Sequence, residues 1–253
     1  MPDLRGRTAL VSGGSRGLGA AIAVVLAECG ADVAINYRRD LEAAEATAAQ
    51  VRALGRKAGV YQADVSDFEA CRAMTEAALR DLGPIDVLVH NAGVAYRGGL
   101  VTDTRLQDYQ RVIGVIAYGG VYLAQLLVPQ MRERERGDVI LISSSATQVM
   151  LPHASAYNMA KAALEALGTT LAKEEREHGI RVNIVAPGLM DTDMGRRGMQ
   201  AAQGVENLDD IAASQPFGLV CTPRDVANVV AFLCSEEGRY VNAQRVYVDG
   251  GGF

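Results

Sequence analysis

The chain has 253 residues, 49% of them apolar, with a formal charge of −5 and 27 glycines, which suits one sizeable α/β domain with many tight turns. Mild acidity leaves no electrostatic footprint for nucleic acid. The sequence offers neither a charged-then-apolar leader nor a run of about 18 apolar residues able to cross a bilayer, so no membrane association and a cytoplasmic location are expected. Cys29, Cys71, Cys221 and Cys234 lack CxxC spacing and read as reduced structural thiols, and His90, His153 and His178 are too dispersed to predict a metal site.

In chain order, residues 7–11 form a short apolar run of strand type. Ser12-Gly13-Gly14-Ser15-Arg16-Gly17-Leu18-Gly19 follows and opens an apolar helix expected over 20–29. Glycines at such a turn let the backbone approach a pyrophosphate, and the helix N-terminus offers free N–H groups and partial positive charge, so this is a dinucleotide site. Further strands are predicted at 32–35, 59–62, 87–90, 139–143, 181–185 and 245–248, with helices at 41–54, 67–82, 106–136, 155–178 and 223–234. Near-continuous apolar strands alternating with helices predict an α/β fold: a single Rossmann-like doubly wound domain over 1–253, its seven-stranded parallel sheet covered on both faces. Residues 190–219 break the rhythm with glycines and methionines.

Tyr157 and Lys161 lie four apart in the helix predicted over 155–178 and so share one face. A phenol, with a reference pKa of about 10, becomes a useful proton-transfer group when an ammonium nearby favours phenolate. After the second strand the chain reads Asn36-Tyr37-Arg38-Arg39, with Asp40 beyond. An acid there suits the ribose hydroxyl of NAD, whereas guanidinium groups hold a 2′-phosphate through paired charge-assisted hydrogen bonds, so NADP(H) is expected.

The glycine loop with Ser12 for threonine, His90-Asn91-Ala92-Gly93 in place of NNAG, Tyr157 with Lys161, and Pro187-Gly188-Leu189-Met190-Asp191-Thr192 as PGxxxT together resemble the short-chain dehydrogenase/reductase family over the whole chain. Residues 181–188 and 248–251 resemble 3-oxoacyl-[acyl-carrier-protein] reductases in type. The resemblance implies hydride transfer between NADP(H) and a carbonyl or alcohol substrate, with Ser144 aiding the substrate oxygen, Tyr157 moving the proton and Lys161 tuning Tyr157 and holding ribose. It places Gly13, Ser15, Arg16, Gly17, Leu18 and Gly19 in the cofactor loop, and Tyr37, Arg38 and Arg39 with the 2′-phosphate. Asp64 and Val65 fall at the adenine, Asn91, Ala92 and Gly93 along the ribose, and Pro187, Gly188 and Thr192 at the nicotinamide. It further implies a substrate lid over 190–219, with Met190, Met194 and Met199 as candidate lining, and a homotetramer joined through helices 106–136 and 155–178.

One departure stands out: Ile116 occupies the position of the family's catalytic asparagine. An isoleucine side chain cannot hold the relay water, so a slow enzyme is expected, Ile116→Asn should raise turnover, and Tyr118 is a speculative substitute. The alternative from another class is an NADPH-binding sensor or scaffold without chemistry. Within the enzyme reading, a sugar, steroid or other alcohol dehydrogenase stays open beside a ketoreductase.

Overall fold

The computed structural model describes residues 2–94, 98–205 and 207–252, with 201–203 described by their backbone alone. Strands β1 Thr8–Ser12, β2 Asp32–Tyr37, β3 Ala58–Gln62, β4 Val87–His90, β5 Gly137–Ile142, β6 Ile180–Pro187 and β7 Arg245–Val248 form one parallel sheet in the order β3-β2-β1-β4-β5-β6-β7. The helices are α1 Gly17–Glu28, α2 Leu41–Ala53, α3 Phe68–Leu82, α4 Leu106–Ile113, α5 Gly119–Met131, α6 Ala146–Val149, α7 Ser155–Glu175, α8 Asp193–Gln203 and α9 Pro223–Cys234.

Successive residues of each strand feed opposite cores, which is why the strands are apolar throughout instead of alternating. Ala9 and Val11, Val33 and Ile35, Val87 and Val89, and Ile140 and Ile142 pack with residues of α1, α2 and α9. Leu10, Ala34, Leu88, Leu141 and Ile184 pack on the other face with α3, α5 and α7. The strand order reverses between β1 and β4, and in an open parallel sheet that reversal leaves a crevice at the carboxyl ends of the strands.

The expected helix over 106–136 is broken. α4 gives way to a π turn over Gly114–Tyr118 before α5 begins, and α5 ends at Met131. Gly119 lets this turn lie tight against the sheet end, since a Cβ there would sit 3.1 Å from both the His90 ring and Val65. A second correction concerns apolarity: Leu106–Met131 has the length and mean hydropathy, 1.8, of a membrane-spanning helix. In this fold its apolar residues Val112, Ile116, Leu123, Leu127 and Met131 are fully buried in the core. The irregular stretch 190–219 contains a helix the sequence does not announce, α8, whose N-terminus is capped by the Thr192 hydroxyl accepting from Gly195 N at 3.0 Å.

Candidate active site

At the carboxyl end of β1 the chain turns through Gly13 and Gly17, both at positive φ, into α1. Gly19 is required by space: a Cβ there would stand 2.2 Å from the Gly13 carbonyl oxygen. Two asparagines lock the loop. The Asn36 side chain accepts from Gly13 N at 3.0 Å, and its amide donates to the Tyr61 and Ala63 carbonyls. The Asn91 amide donates to the Ser12 and Gly13 carbonyls, both at 3.1 Å. The sequence assigns Asn91 a backbone role along the ribose; the structure gives its side chain to the loop. Asn36 was not singled out in the sequence, although a polar residue within an otherwise apolar strand end is a usable signal.

The first turn of α1 has neither a side-chain cap nor an acidic residue, so its N–H groups stay available to an anion. At the adenosine end Arg38 is committed to Asp64 at 2.7 Å, and Asp64 also accepts from the Ser66 backbone and hydroxyl. Asp40 caps α2 through Ala43 N. Arg16 and Arg39 line the cleft and have no side-chain hydrogen bond or ion pair among the described residues. Of the arginines that the sequence places along the cofactor, Arg16, Arg38 and Arg39, only Arg16 and Arg39 are left without a partner among the described residues, because Arg38 is neutralised by an acid from the next strand connection. The loop and the uncapped helix fit the pyrophosphate of a dinucleotide.

Across the cleft, Ser144 follows β5, and Tyr157 and Lys161 rise from α7. Ser144 and Tyr157 border the same part of the cleft, close enough for the serine hydroxyl to act on the phenol. The Lys161 ammonium is buried, donates to the Ile142 carbonyl at 2.6 Å and stands 5.6 Å from the centre of the Tyr157 ring. Burial lowers Lys161 to about 8, with Glu165 acting the other way. The structure corrects one expectation here: burial lifts the Tyr157 phenol above its ordinary value, opposed by the nearby Ser144 hydroxyl. The ammonium is engaged by a backbone carbonyl and faces the ring, so it does not turn the phenol into a phenolate, and Tyr157 keeps its proton at neutral pH.

The π turn bears on this site through its backbone. Ser12 Oγ accepts from Asn91 N and Ala92 N, each at 3.0 Å, which leaves its own proton for His90 Nδ1, also at 3.0 Å. His90 is thereby assigned the Nε2–H tautomer and donates to the Ile116 carbonyl at 3.0 Å. The Ile116 side chain points into the core and is fully buried, while Val115 lines the cleft. The gain expected from Ile116→Asn does not follow, because the new amide would be buried among apolar side chains at a cost of about 1–3 kcal/mol. Tyr118 stacks on Tyr122 at 6.1 Å and lies outside the cleft lining.

Burial also depresses His90 to about 4 from 6.5. In the unfolded chain His90 takes up its proton first, so stability is lost as pH falls through the window from 6.5 to 4, by about 3 kcal/mol in all. Urea midpoints measured at about pH 7 and about pH 4.5 should therefore drop less in His90→Asn than in the wild type. Equal drops would mean that His90 titrates normally.

All the residues that the sequence assigns to catalysis and cofactor border one cleft of ≈ 900 Å³, from Gly13 and Arg39 at one end to Ser144, Tyr157, Lys161 and Thr192 at the other. Met190 and Met194 also line it and Met199 does not; the sequence reading missed Arg111 and Val115, which reach it from α4 and the π turn. No cluster of metal-ligating side chains occurs among the described residues.

Residues 13–252 match the family described as Enoyl-(Acyl carrier protein) reductase. The chain is 35% identical to a 3-oxoacyl-[acyl-carrier-protein] reductase of Staphylococcus aureus, over 97% of each chain. Among solved structures it is similar to a short chain dehydrogenase from Burkholderia cenocepacia in complex with NADP, at 38% identity and a TM-score of 0.89 over 98% of each chain. It is also similar to an NAD+-bound xylitol dehydrogenase, at 28% identity and a TM-score of 0.90 over 98% of this chain and 99% of that one. A nucleotide crevice at the β1/β4 reversal, a serine–tyrosine–lysine group facing it and these full-length matches agree: the chain is an oxidoreductase of the short-chain dehydrogenase/reductase family.

Proposed function

We propose that the protein is an NADP(H)-dependent carbonyl reductase, of the 3-oxoacyl reductase type in its overall resemblance. The observation that carries the chemistry is the convergence of Ser144 and Tyr157 on one cleft beside the buried Lys161. The cofactor choice rests on Arg16 and Arg39, which line the cleft and have no side-chain partner among the described residues.

A bound nicotinamide supplies the hydride; the proton chemistry belongs to the chain. Two hydroxyls side by side present two donors to a carbonyl oxygen, and such preorganised donors act most strongly where negative charge develops. Tyr157, held protonated by burial, is an acid at neutral pH and passes its proton to the oxygen as it becomes an alcohol. Lys161, fixed on the Ile142 carbonyl, stabilises the phenolate left behind. Thr192 spends its oxygen lone pair on the α8 cap and keeps its proton for the nicotinamide side of the cleft. Residues 190–219 act as the substrate lid through α8, whose Met194 borders the cleft. The proposal includes a cytoplasmic homotetramer joined through α4, α5 and α7, where exposed Tyr118 and Met159 would be covered.

The test is a screen of NADPH and NADH oxidation against 3-oxoacyl thioesters, ketones, aldehydes and sugars. Turnover with 3-oxoacyl thioesters and a lower KM for NADPH are expected. Activity confined to sugars or a preference for NADH overturns the corresponding part. The double variant Arg16→Gln/Arg39→Gln should raise the KM for NADPH by about 100-fold and shift that for NADH by less than about threefold, since two charge-assisted contacts to a phosphate are removed. Equal effects on both cofactors would mean that the arginines do not read the 2′-phosphate.

A further inference from the structure

Behind the catalytic serine lies a buried carboxylate that the proposed chemistry does not use. Glu165 sits one helical turn beyond Lys161 on α7 and is only 4% exposed. Its Oε1 accepts from Ser143 Oγ at 2.6 Å and from Thr147 Oγ1 at 2.8 Å. Thr147 Oγ1 also lies 2.9 Å from the Ser144 carbonyl and shares its proton with it. One carboxylate oxygen thus pins the turn carrying Ser144 on both sides of that residue. The other oxygen meets Arg245 of β7 at 2.9 Å, and Arg245 in turn contacts the Tyr247 hydroxyl at 3.0 Å.

A buried charge costs several kcal/mol unless paired and hydrogen-bonded, and its field reaches nearby titratable groups more strongly than in water. Lys161 is such a group, four residues away on the same helix face, and Glu165 acts on it electrostatically. The other titratable groups facing Lys161 are Tyr157 on α7 and His90 on β4. Those facing Glu165 are Lys161 and Arg245.

We propose that Glu165 is a positioning residue of this site: through Ser143 and Thr147 it fixes the turn that presents Ser144, and its charge, moderated by Arg245, holds Lys161 in its ammonium form. The inference rests on the oxidoreductase reading only for its kinetic consequence. Its electrostatic part needs no substrate.

The chain has three lysines, Lys57, Lys161 and Lys173, so carbon-13 labelling of the lysine side chains makes Lys161 assignable by its disappearance in Lys161→Met. Glu165→Gln keeps the shape and the acceptor for Ser143 and Thr147 while removing the charge. It should lower the Lys161 midpoint by about one pH unit, tenfold in proton concentration, and move the alkaline limb of carbonyl reduction the same way. Arg245→Gln should move both toward higher pH. A structural role alone would lower turnover in both variants with the Lys161 midpoint unmoved, and that result overturns the proposal. Should Glu165→Gln not fold, an unmoved midpoint in Arg245→Gln overturns it alone. Opposite shifts in a protein that reduces no carbonyl compound would sink the redox reading and leave the assignment of Glu165 standing.

Discussion

Tyr157→Phe is expected to lower carbonyl-dependent NADPH oxidation by about 10²- to 10⁴-fold, the range for loss of a positioned general acid, while NADPH still binds. The change removes one hydroxyl and leaves the ring that faces Lys161. At most one hydrogen bond is lost with the hydroxyl, worth about 1 kcal/mol of stability, so the variant should fold. Its kcat and NADPH fluorescence titration separate the two roles. A fall in kcat with unchanged affinity assigns the hydroxyl to chemistry, whereas a loss of affinity with kcat retained assigns that hydroxyl to holding the cofactor. Residual turnover within about tenfold of wild type would move the proton source elsewhere. Reduction in the wild type should decline as pH rises through about 8, where Lys161 loses its charge, and not only near the higher pH at which Tyr157 ionises. A fully sensor-like protein has no such activity to lose.

The parts legible in the sequence are those in which a local pattern has only one physical outlet. Strands apolar on both faces have to be covered twice, and the register Ala9 and Val11 against Leu10 shows the two cores being fed alternately. Positions 157 and 161 meet because of helix geometry, and the Gly13–Gly19 turn has no room for side chains. What was not legible depends on contacts between distant segments. The pairing of Arg38 with Asp64 joins the ends of neighbouring strands, and it changes which cations are free for a phosphate. The direction of the Tyr157 shift needed its burial as well as its neighbour. The π turn at Gly114–Tyr118 leaves the apolar pattern of the helix almost unchanged, so position 116 carries the expected residue number but turns its side chain to the core and offers only a carbonyl, taken up by His90. Glu165 is one of several acids on its helix in the sequence, and only the fold brings Ser143 and Thr147 onto it.

Asp138→Asn should produce the largest loss of stability, at the end of the sheet away from the chemistry. Asp138 lies near the amino end of β5, is 1% exposed and gathers three guanidiniums: Arg7 at 2.6 Å, Arg136 at 3.1 Å and Arg181 at 2.5 Å. The same arginines donate to the carbonyls that end α9, Arg7 to Cys234, Arg136 to Cys234 and Ser235, and Arg181 to Leu233. One carboxylate therefore balances three cations that fasten β1, β5 and β6 to the last helix. Asparagine fills the same volume, so no cavity forms, but the guanidiniums are left facing one another, with only Arg136 keeping a counter-charge, the exposed Glu236 at 3.2 Å. Breaking a buried pair from one side costs about 3–5 kcal/mol, and the urea midpoint should fall accordingly with the slope unchanged. Arg136→Gln, which removes one cation and leaves the carboxylate with two, should cost less. Because ligands of an open parallel sheet bind at the carboxyl ends of its strands, NADPH affinity in Asp138→Asn should match the wild type wherever the protein remains folded. A change in affinity larger than about threefold at such temperatures would show that the charge cluster and the cleft are coupled through β5, whose far end leads directly into Ser143 and Ser144.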